Sequence, residues 1–208
     1  DIVNFAVEFV KEFATFLHQN GVIKFGDFKL SSGKESPYYI DLRLVPSFPH
    51  QFRKMIKMLQ DSISEKIGFD NFDCIASVPT SGLVIASALA IEIVKPLIYI
   101  RQKPKEYGTE NVIEGKIAKG TRVLLVDDVA TTGLSLINAI KPLKNAGVVV
   151  TDAFTIINRF EGAREVLATE NVRLYEITDI TTLATILHKE NLIDDQTLER
   201  VKKQIGLI

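Results

Sequence analysis

The sequence predicts an α/β fold in which helices cover both faces of a parallel β-sheet. Five apolar runs rich in β-branched residues follow one another from residue 74 onward, and segments with helical periodicity separate them. Strands that alternate with helices pair in parallel, and strands buried on both faces are apolar throughout. The 208 residues are enough to bury one substantial core, so we expect a single domain.

The N-terminal part differs from this alternating pattern. Four phenylalanines recur at helical spacing between residues 5 and 16, which predicts an amphipathic helix over 2–19. The next stretch, FGDFKLSSGKESPYYIDLR, has two alternating segments around a Ser-Gly turn and predicts a β-hairpin. A second helix is predicted over about 47–67.

The alternating region then supplies the sheet. Strands are predicted at CIASV, PLIYI, RVLLV, VVVTDAFTII and VRLYEI. Helices are predicted near 82–92, 133–146, 162–169, 181–189 and 194–204, the last capped by Asp194 or Asp195. The connection RQKPKEYGTENVIEGKIAKGT has no helical period, and so long a connection inside a compact domain is typically functional or disordered.

Composition excludes several classes of function. The 25 Lys and Arg against 26 Asp and Glu give a net charge of −1, so no nucleic-acid partner is expected and any attraction for phosphate must be local. The N-terminus lacks the features of a signal peptide, and Pro, Gly and charged residues break the most apolar region into pieces shorter than the roughly 20 residues of a membrane helix. The single cysteine, Cys74, is expected to be inert core. We therefore expect a cytoplasmic protein without membrane association.

The stretch VLLVDDVATTGLS, residues 123–135, contains the strongest chemical pattern. Asp127 and Asp128 follow a strand, where α/β sheets bind ligands. The small residues of 130–135 enter a helix near Gly133, whose N-terminal amides attract an anion such as phosphate. The carboxylates would then face sugar hydroxyls, a magnesium ion or developing positive charge, and a ribose 5-phosphate satisfies both demands.

Other interpretations of this pattern remain open at this point. The stretch could be a capped structural turn, and receiver domains also carry an acidic pair at a strand end, although early in the chain. No G-x-x-x-x-G-K-[ST] or G-x-G-x-x-G motif is present, so triphosphate hydrolysis and dinucleotide binding lack their usual signatures. His18, His50 and His188 are isolated, without metal-ligand spacing.

Residues 123–135 resemble the phosphoribosyl-diphosphate signature of type I phosphoribosyltransferases. Three other segments resemble parts of the orotate phosphoribosyltransferases. The hairpin stretch resembles their N-terminal hood, and IRQKPKEYGTENVIEG resembles their mobile catalytic loop. INRFEGARE resembles their base-site segment. These motifs run in the family's order from about residue 25 to 165. The resemblance implies the type I fold over 1–208, with a hood of about 1–45 plus C-terminal elements and a core of about 46–180.

The implied reaction transfers ribose 5-phosphate from 5-phosphoribosyl 1-diphosphate to N1 of orotate, in UMP biosynthesis. Breaking the C1–O bond leaves positive charge on the ribose and negative charge on the diphosphate. The implied catalytic residues are Lys105, Asp127 and Asp128, with Arg101 and Lys103 also near the diphosphate. The loop must open and close to exclude water, and its glycines are expected to permit this movement.

The same resemblance implies the binding residues. Those for the donor are Thr80, Ser81, Arg101, Gln102, Lys103, Lys105, Tyr107, Asp127, Asp128, Val129, Ala130, Thr131, Thr132, Gly133, Leu134 and Ser135. Those for orotate are Tyr39, Ile40, Thr131 and Arg159, whose fork suits a planar carboxylate. Mg²⁺ is the implied cofactor, bound mainly through the donor diphosphate, with water-mediated contact to Asp127 or Asp128 and no direct protein ligand. A homodimer is implied, in which the 101–115 loop completes the neighbour's site.

Some positions depart from the common family pattern, and three alternatives for function remain. The departures are Ser31 for a hood lysine, Gln102 for a loop lysine, Tyr107 for a histidine, and Thr80-Ser81 for an aromatic-lysine pair. Each departure removes a positive charge or changes a group that could transfer a proton. Lys34 and Lys103 could replace the lost donor contacts.

The alternatives for function are transfer to another base, a nucleotide-sensing regulator on the same fold, and a domain fused to a decarboxylase.

Overall fold

The structure, a computed structural model, describes residues 2–30, 32–104, 107 and 111–208, with side chains from residue 6 onward. The helices are α1 (Ile2–Gln19), α2 (Pro49–Lys66), α3 (Ser81–Ile93), α4 (Leu134–Asn145), α5 (Ala163–Ala168), α6 (Ile180–Lys189) and α7 (Asp195–Gln204). The strands are β1 (Ile23–Lys29), β2 (Glu35–Ile40), β3 (Cys74–Ser77), β4 (Leu97–Ile100), β5 (Ile113–Glu114), β6 (Arg122–Ala130), β7 (Val149–Asn158) and β8 (Arg173–Asp179). Short 3-10 helices cover Leu42–Ser47 and Phe69–Asn71.

The chain divides into two compact units, one of residues 1–55 and 178–208 and one of residues 56–177. In the first, β1 and β2 pair antiparallel, which confirms the predicted hairpin. Gly33 turns the chain at φ 82°, and the Leu30 N–H donates to the Lys34 carbonyl at 2.8 Å. Ser31 lies outside the described residues.

Aromatic packing stabilises α1 in the first unit, and a carboxylate caps α7. Phe13 and Phe16 of α1 are buried, as the phenylalanine spacing predicted, and the Phe16 ring meets Phe48 edge-on at 5.2 Å. The side chain of Phe5 is outside the described set. Asp194 caps α7 by accepting the Thr197 N–H at 2.8 Å, which settles the choice between the two candidate caps.

The second unit contains the six-stranded sheet, in the order β5-β4-β3-β6-β7-β8, up to residue 177. Strands β4, β3, β6 and β7 run parallel, as predicted, whereas β5 is antiparallel to β4 at the edge. The sequence did not predict β5, because two residues in a polar connection have no detectable period. Cys74 is buried, as expected, and burial raises the pKa of its thiol to about 11. Within the described ranges, no helix has both the length and the apolarity to span a membrane.

Asp73 and Arg122 join the starts of β3 and β6 in the second unit. The Arg122 backbone and guanidinium donate to the Asp73 carboxylate at 2.8 to 3.1 Å. These hydrogen bonds lower the pKa of Asp73 from 3.8 to about 2. A carboxyl with a lowered folded-state pKa stabilises the fold above its unfolded pKa, and that stability disappears as the pH falls through the folded value.

We expect Asp73→Asn to lower the melting temperature slightly at pH 7, because the ion pair is exposed to solvent. The difference from the wild type should shrink as the pH falls from 3.8 towards about 2. Thermal unfolding followed by circular dichroism across this range measures it. A difference of the same size at both ends would contradict this interpretation of the pair.

Candidate active site

The acidic pair lies within β6 and not beyond its end. The strand was predicted to end at Val126, but it continues to Ala130 because β7 pairs with it along its length, with Asp127 beside Thr155 and Val129 beside Ile157. Asp127 is buried, at 8% exposure, whereas Asp128 is half-buried.

The buried position controls the charge of Asp127. Burial, then the charge of Asp128 and a hydrogen bond that protonated Asp127 donates to the Asp128 carboxylate, raise the pKa of Asp127 well above the usual value for aspartate. The Asp128 N–H donates to Asp127 Oδ1 at 2.9 Å and favours the ionised form, but it does not outweigh burial. Positive charge arriving beside Asp127 would therefore favour its ionisation.

Gly82, which sequence reasoning missed, allows α3 to lie close to this carboxylate. A Cβ at Gly82 would overlap Asp127 Oδ1 and would come within 3.0 Å of Ser77 Oγ. Ser77 is itself buried and donates its hydroxyl to the Val126 carbonyl at 2.6 Å. The only signal in the sequence was a glycine inside an apolar helix, which is unfavourable there without a packing reason.

We expect Gly82→Ala to lower turnover roughly 10- to 100-fold, because the added methyl group must displace the Asp127 carboxylate. The strain of overpacking, about 1–3 kcal/mol, should offset the gain of about 1 kcal/mol in helix propensity. Steady-state kinetics and denaturant unfolding measure the two effects. Ser64→Ala, at an exposed position of α2, is the control. Wild-type turnover in Gly82→Ala would mean that this close approach does not matter for activity.

The predicted turn of small residues follows β6 and leads into α4. Gly133 has φ 86°, and a Cβ there would lie 3.0 Å from Ala163 Cα and 3.2 Å from Leu167 Cδ1 on α5. The Ile137 N–H donates to the Gly133 carbonyl at 2.9 Å, which starts the helix. Gly133 is thus required by the backbone and by the close approach of α5. The exposed residues of this turn and the helix start are Thr132, Leu134 and Ser135, and Thr131 is half-exposed.

The connection between β4 and β6 is held at its two ends. The Arg101 N–H donates to the Val112 carbonyl at 2.8 Å, next to the β4–β5 pair. Gly115 has φ 115°, and a Cβ there would lie 2.7 Å from Ile98 Cγ2. Gly115 therefore has a role in close packing, and the expectation that the loop glycines permit movement stays a prediction. Gly108 is outside the described residues.

The start of this loop lies beside the turn that follows β3. The Gln102 side-chain amide donates to the Pro79 carbonyl at 3.4 Å, and the peptide between Pro79 and Thr80 is cis. Thr80 and Ser81 come next, at the beginning of α3. The structure thus brings together three of the predicted donor-binding residues from two separate stretches of the chain.

The structure describes only some of the cationic residues that are predicted to bind the diphosphate. Arg101 Nη1 lies 3.7 Å from the carboxylate of Glu114 on β5. Lys103 is exposed, and Tyr107 is 87% exposed. Lys105 lies outside the described residues, so its predicted catalytic role stays a prediction.

Arg159 lies directly after β7 and is 6% exposed. Its backbone N–H donates to the Ala130 carbonyl at 2.9 Å, and its Nε lies 3.0 Å from Glu161 Oε2. Because Ala130 precedes Thr131, the structure joins the two predicted orotate-binding residues of this unit at one backbone junction. Glu161, which the sequence did not single out, belongs to this arrangement.

The other two residues predicted for orotate lie in the first unit. Tyr39 on β2 stacks on Phe28, with 5.8 Å between ring centroids, and its hydroxyl accepts a hydrogen bond from Arg43 at 3.3 Å. Ile40 pairs with Ile23 across the hairpin. Both predicted residues are half-buried. Their backbone contact with a ligand stays a prediction.

The chain is similar to known proteins along nearly its whole length. Residues 48–181 match the model of the phosphoribosyl transferase domain. The orotate phosphoribosyltransferase of Cenarchaeum symbiosum is 51% identical over 194 residues, which cover 93% of this chain and 97% of that protein. The orotate phosphoribosyltransferase of Staphylothermus marinus is 39% identical over 197 residues, with 95% of both chains covered.

Solved structures agree with these relatives. The orotate phosphoribosyltransferase from Aeropyrum pernix has a TM-score of 0.74 and 37% identity, covering 87% of this chain and 99% of that one. The UMP synthase of Leishmania donovani has a TM-score of 0.82 and 32% identity; the match covers 95% of this chain but only 42% of that chain. With its type I fold and its near full-length relatives, the chain belongs to the orotate phosphoribosyltransferase family of enzymes.

Proposed function

We propose that this protein transfers ribose 5-phosphate from 5-phosphoribosyl 1-diphosphate to N1 of orotate, giving orotidine 5′-monophosphate and diphosphate in UMP biosynthesis. The observation that carries the proposal is the hydrogen bond from the Arg159 N–H to the Ala130 carbonyl. A group transfer needs its donor and acceptor sites side by side. This bond connects the end of the acidic strand to the segment that resembles the base site.

The donor would occupy the acidic strand and the turn after it. Its 5-phosphate would bind residues 130–135, where the amides at the start of α4 attract an anion. Asp127 and Asp128 would face the ribose, and positive charge developing at C1 would favour the ionised form of the buried carboxyl. Arg101, Lys103 and Lys105 would neutralise the departing diphosphate. The further donor contacts are Thr80, Ser81, Gln102, Tyr107 and Val129.

Orotate would be recognised at its polar edges. A guanidinium matches a planar carboxylate in geometry as well as charge, so Arg159 suits the acceptor better than a lysine would. Thr131 lies next to the Ala130–Arg159 bond and would meet the same edge. The backbone at Tyr39 and Ile40 would support the ring.

Mg²⁺ would accompany the donor. Carboxylate oxygens and phosphates are the ligands that this ion prefers, usually with several waters retained, and the oxygen donors of Asp127 and Asp128 fit that preference. The part of the chain that the structure describes has no cluster of three or more His, Cys, Asp or Glu side chains able to hold a metal. The diphosphate and water would supply most of the ligands, with water-mediated contact to Asp127 or Asp128. When bound, the ion would neutralise negative charge on the diphosphate.

A homodimer is the proposed assembly, with the 101–115 loop of each subunit completing the site of the other. The supporting observation is the exposed side of α3 and its C-cap, which carries large apolar side chains. Val84, Ile91 and Val94 are 42%, 79% and 87% exposed. Exposed apolar side chains that lie together mark a contact surface, and a second copy would cover this side. We also propose a cytoplasmic location and a single domain over 1–208.

The test is to mix the purified protein with orotate, donor and Mg²⁺ and to follow the near-ultraviolet absorbance of orotate. We expect the absorbance to change and mass spectrometry to detect orotidine 5′-monophosphate. Parallel reactions with adenine and hypoxanthine should give no product. Product from another base alone would reassign the acceptor. No product from any base, with an active orotate phosphoribosyltransferase as control, would favour the nucleotide-sensing regulator.

A further inference from the structure

Glu161 is an acidic side chain in the acceptor segment to which the proposed reaction gives no part. Its Oε2 lies 3.0 Å from Arg159 Nε, and the two side chains are only 16% and 7% exposed. Transferring two charges from water to a site of this kind costs several kcal/mol per ion, and apolar residues of similar size often stabilise a fold as well or better. An ion pair at this position therefore points to a role other than stability.

The backbone around Glu161 is bent on both sides. Phe160 has φ 57°, a left-handed conformation that is unfavourable for a residue with a Cβ, and its N–H donates to Asn158 Oδ1 at 2.9 Å. Gly162 has φ 106° and starts α5. These two residues flank Glu161, whose side chain contacts Arg159. Unfavourable backbone conformations of this type are concentrated at functional sites.

Arg159 is consequently held at two points. Its backbone N–H binds the Ala130 carbonyl, and its Nε lies against Glu161. Contact at Nε restricts rotation of the guanidinium about the last bond of the side chain. A fixed guanidinium plane improves recognition of a planar anion, because less conformational freedom is lost on binding.

We propose that Glu161 is a positioning residue that fixes the plane of the Arg159 guanidinium for the acceptor's carboxylate. The inference rests on the proposed function, since it assigns a task within the same acceptor site. Glu161 acts through Arg159 and not on the substrate itself. Its loss should therefore affect the acceptor and leave the donor unaffected.

Steady-state kinetics test this role. We expect Glu161→Ala to raise the KM for orotate about tenfold, with kcat and the KM for the donor within about twofold of the wild type. Glu161→Gln, which keeps the size of the side chain and removes its charge, should also raise the KM for orotate, because the contact with Arg159 is an ion pair. It also serves if the alanine variant fails to fold. Glu165→Gln, exposed on α5, is the control. A lower KM for orotate would mean that Glu161 competes with the substrate, and would overturn the proposal.

A double-mutant cycle separates action through Arg159 from an independent effect. Arg159→Ala should raise the KM for orotate, and adding Glu161→Ala to it should cause no further change. Effects that multiply in the double variant would show that Glu161 acts separately, and would reject the positioning role.

Nuclear magnetic resonance provides a measurement that does not depend on turnover. The Arg159 Nε–H signal, assigned by its absence in Arg159→Lys, should exchange slowly with solvent in the wild type and rapidly in Glu161→Ala. Slow exchange in a protein that fails to use orotate would reject the proposed function and keep the positioning role. Exchange in the wild type as fast as that of exposed Arg53 would reject the positioning role itself.

Discussion

Replacing Lys105 with alanine is expected to lower turnover by roughly 10²-fold or more and to leave the fold intact. Loss of one electrostatic donor beside a developing negative charge has an effect of this size. The assay is kcat for orotate at saturating concentrations of both substrates, with unfolding measured in parallel. Lys116→Ala, an exposed lysine of the same connection, is the matched control. Turnover near the wild-type value in Lys105→Ala would remove this lysine from the mechanism.

The proposed exchange of loops between subunits gives this prediction a second measurement. If Lys105 acts in the neighbour's site, a dimer of one Lys105→Ala subunit and one Asp127→Asn subunit has one intact site. Mixing the two inactive variants in equal amounts should then restore roughly a quarter of the wild-type activity, because half of the dimers are hybrids with one working site each. No recovery after subunit exchange would place Lys105 in its own subunit's site.

Asp127→Asn is expected to have opposite effects on activity and stability. Turnover should fall by roughly 10²-fold, because the amide cannot supply negative charge beside the ribose. Stability should rise relative to the wild type at neutral pH. Burial raises the pKa of Asp127 in the folded protein, so the fold loses stability as the pH rises from 3.8 through the folded-state value. The amide has no such titration.

Urea unfolding between pH 4 and pH 8 measures the effect on stability. The free energy of unfolding of Asp127→Asn should exceed that of the wild type by an amount that grows with pH. Asp61→Asn, at an exposed position of α2, should follow the wild type. A constant difference between Asp127→Asn and the wild type over the whole range would contradict the raised pKa.

Most of the fold could be predicted because most of its elements are long enough to show a period. The phenylalanines of α1 and the apolar runs at β3, β4 and β7 are local signals, and the structure has these elements close to the predicted positions. The predicted secondary structure is wrong where pairing with a neighbouring strand determines whether a strand forms and where it ends. β6 continues past Val126 because β7 pairs with it, and β5 exists because β4 offers an edge.

The same distinction applies to the candidate site. Asp127, Asp128 and the turn to Gly133 are contiguous in sequence, so their chemistry could be inferred before the fold was known. Gly82 could not, because its importance comes from contact with a residue 45 positions later in the chain. Glu161 lies two residues from Arg159, but a Glu in a polar segment has no distinctive pattern, and the contact between the two side chains is visible only in the structure.

The bond between the Ala130 carbonyl and the Arg159 N–H has a consequence for how new specificities can arise. Both atoms belong to the main chain, so any residue except proline at position 159 can preserve the bond. If Arg159 binds the nucleobase as proposed, evolution or protein engineering can change the side chain that recognises the base without moving the proposed sugar-phosphate site. Enzymes with this one fold can for this reason come to accept different nucleobases.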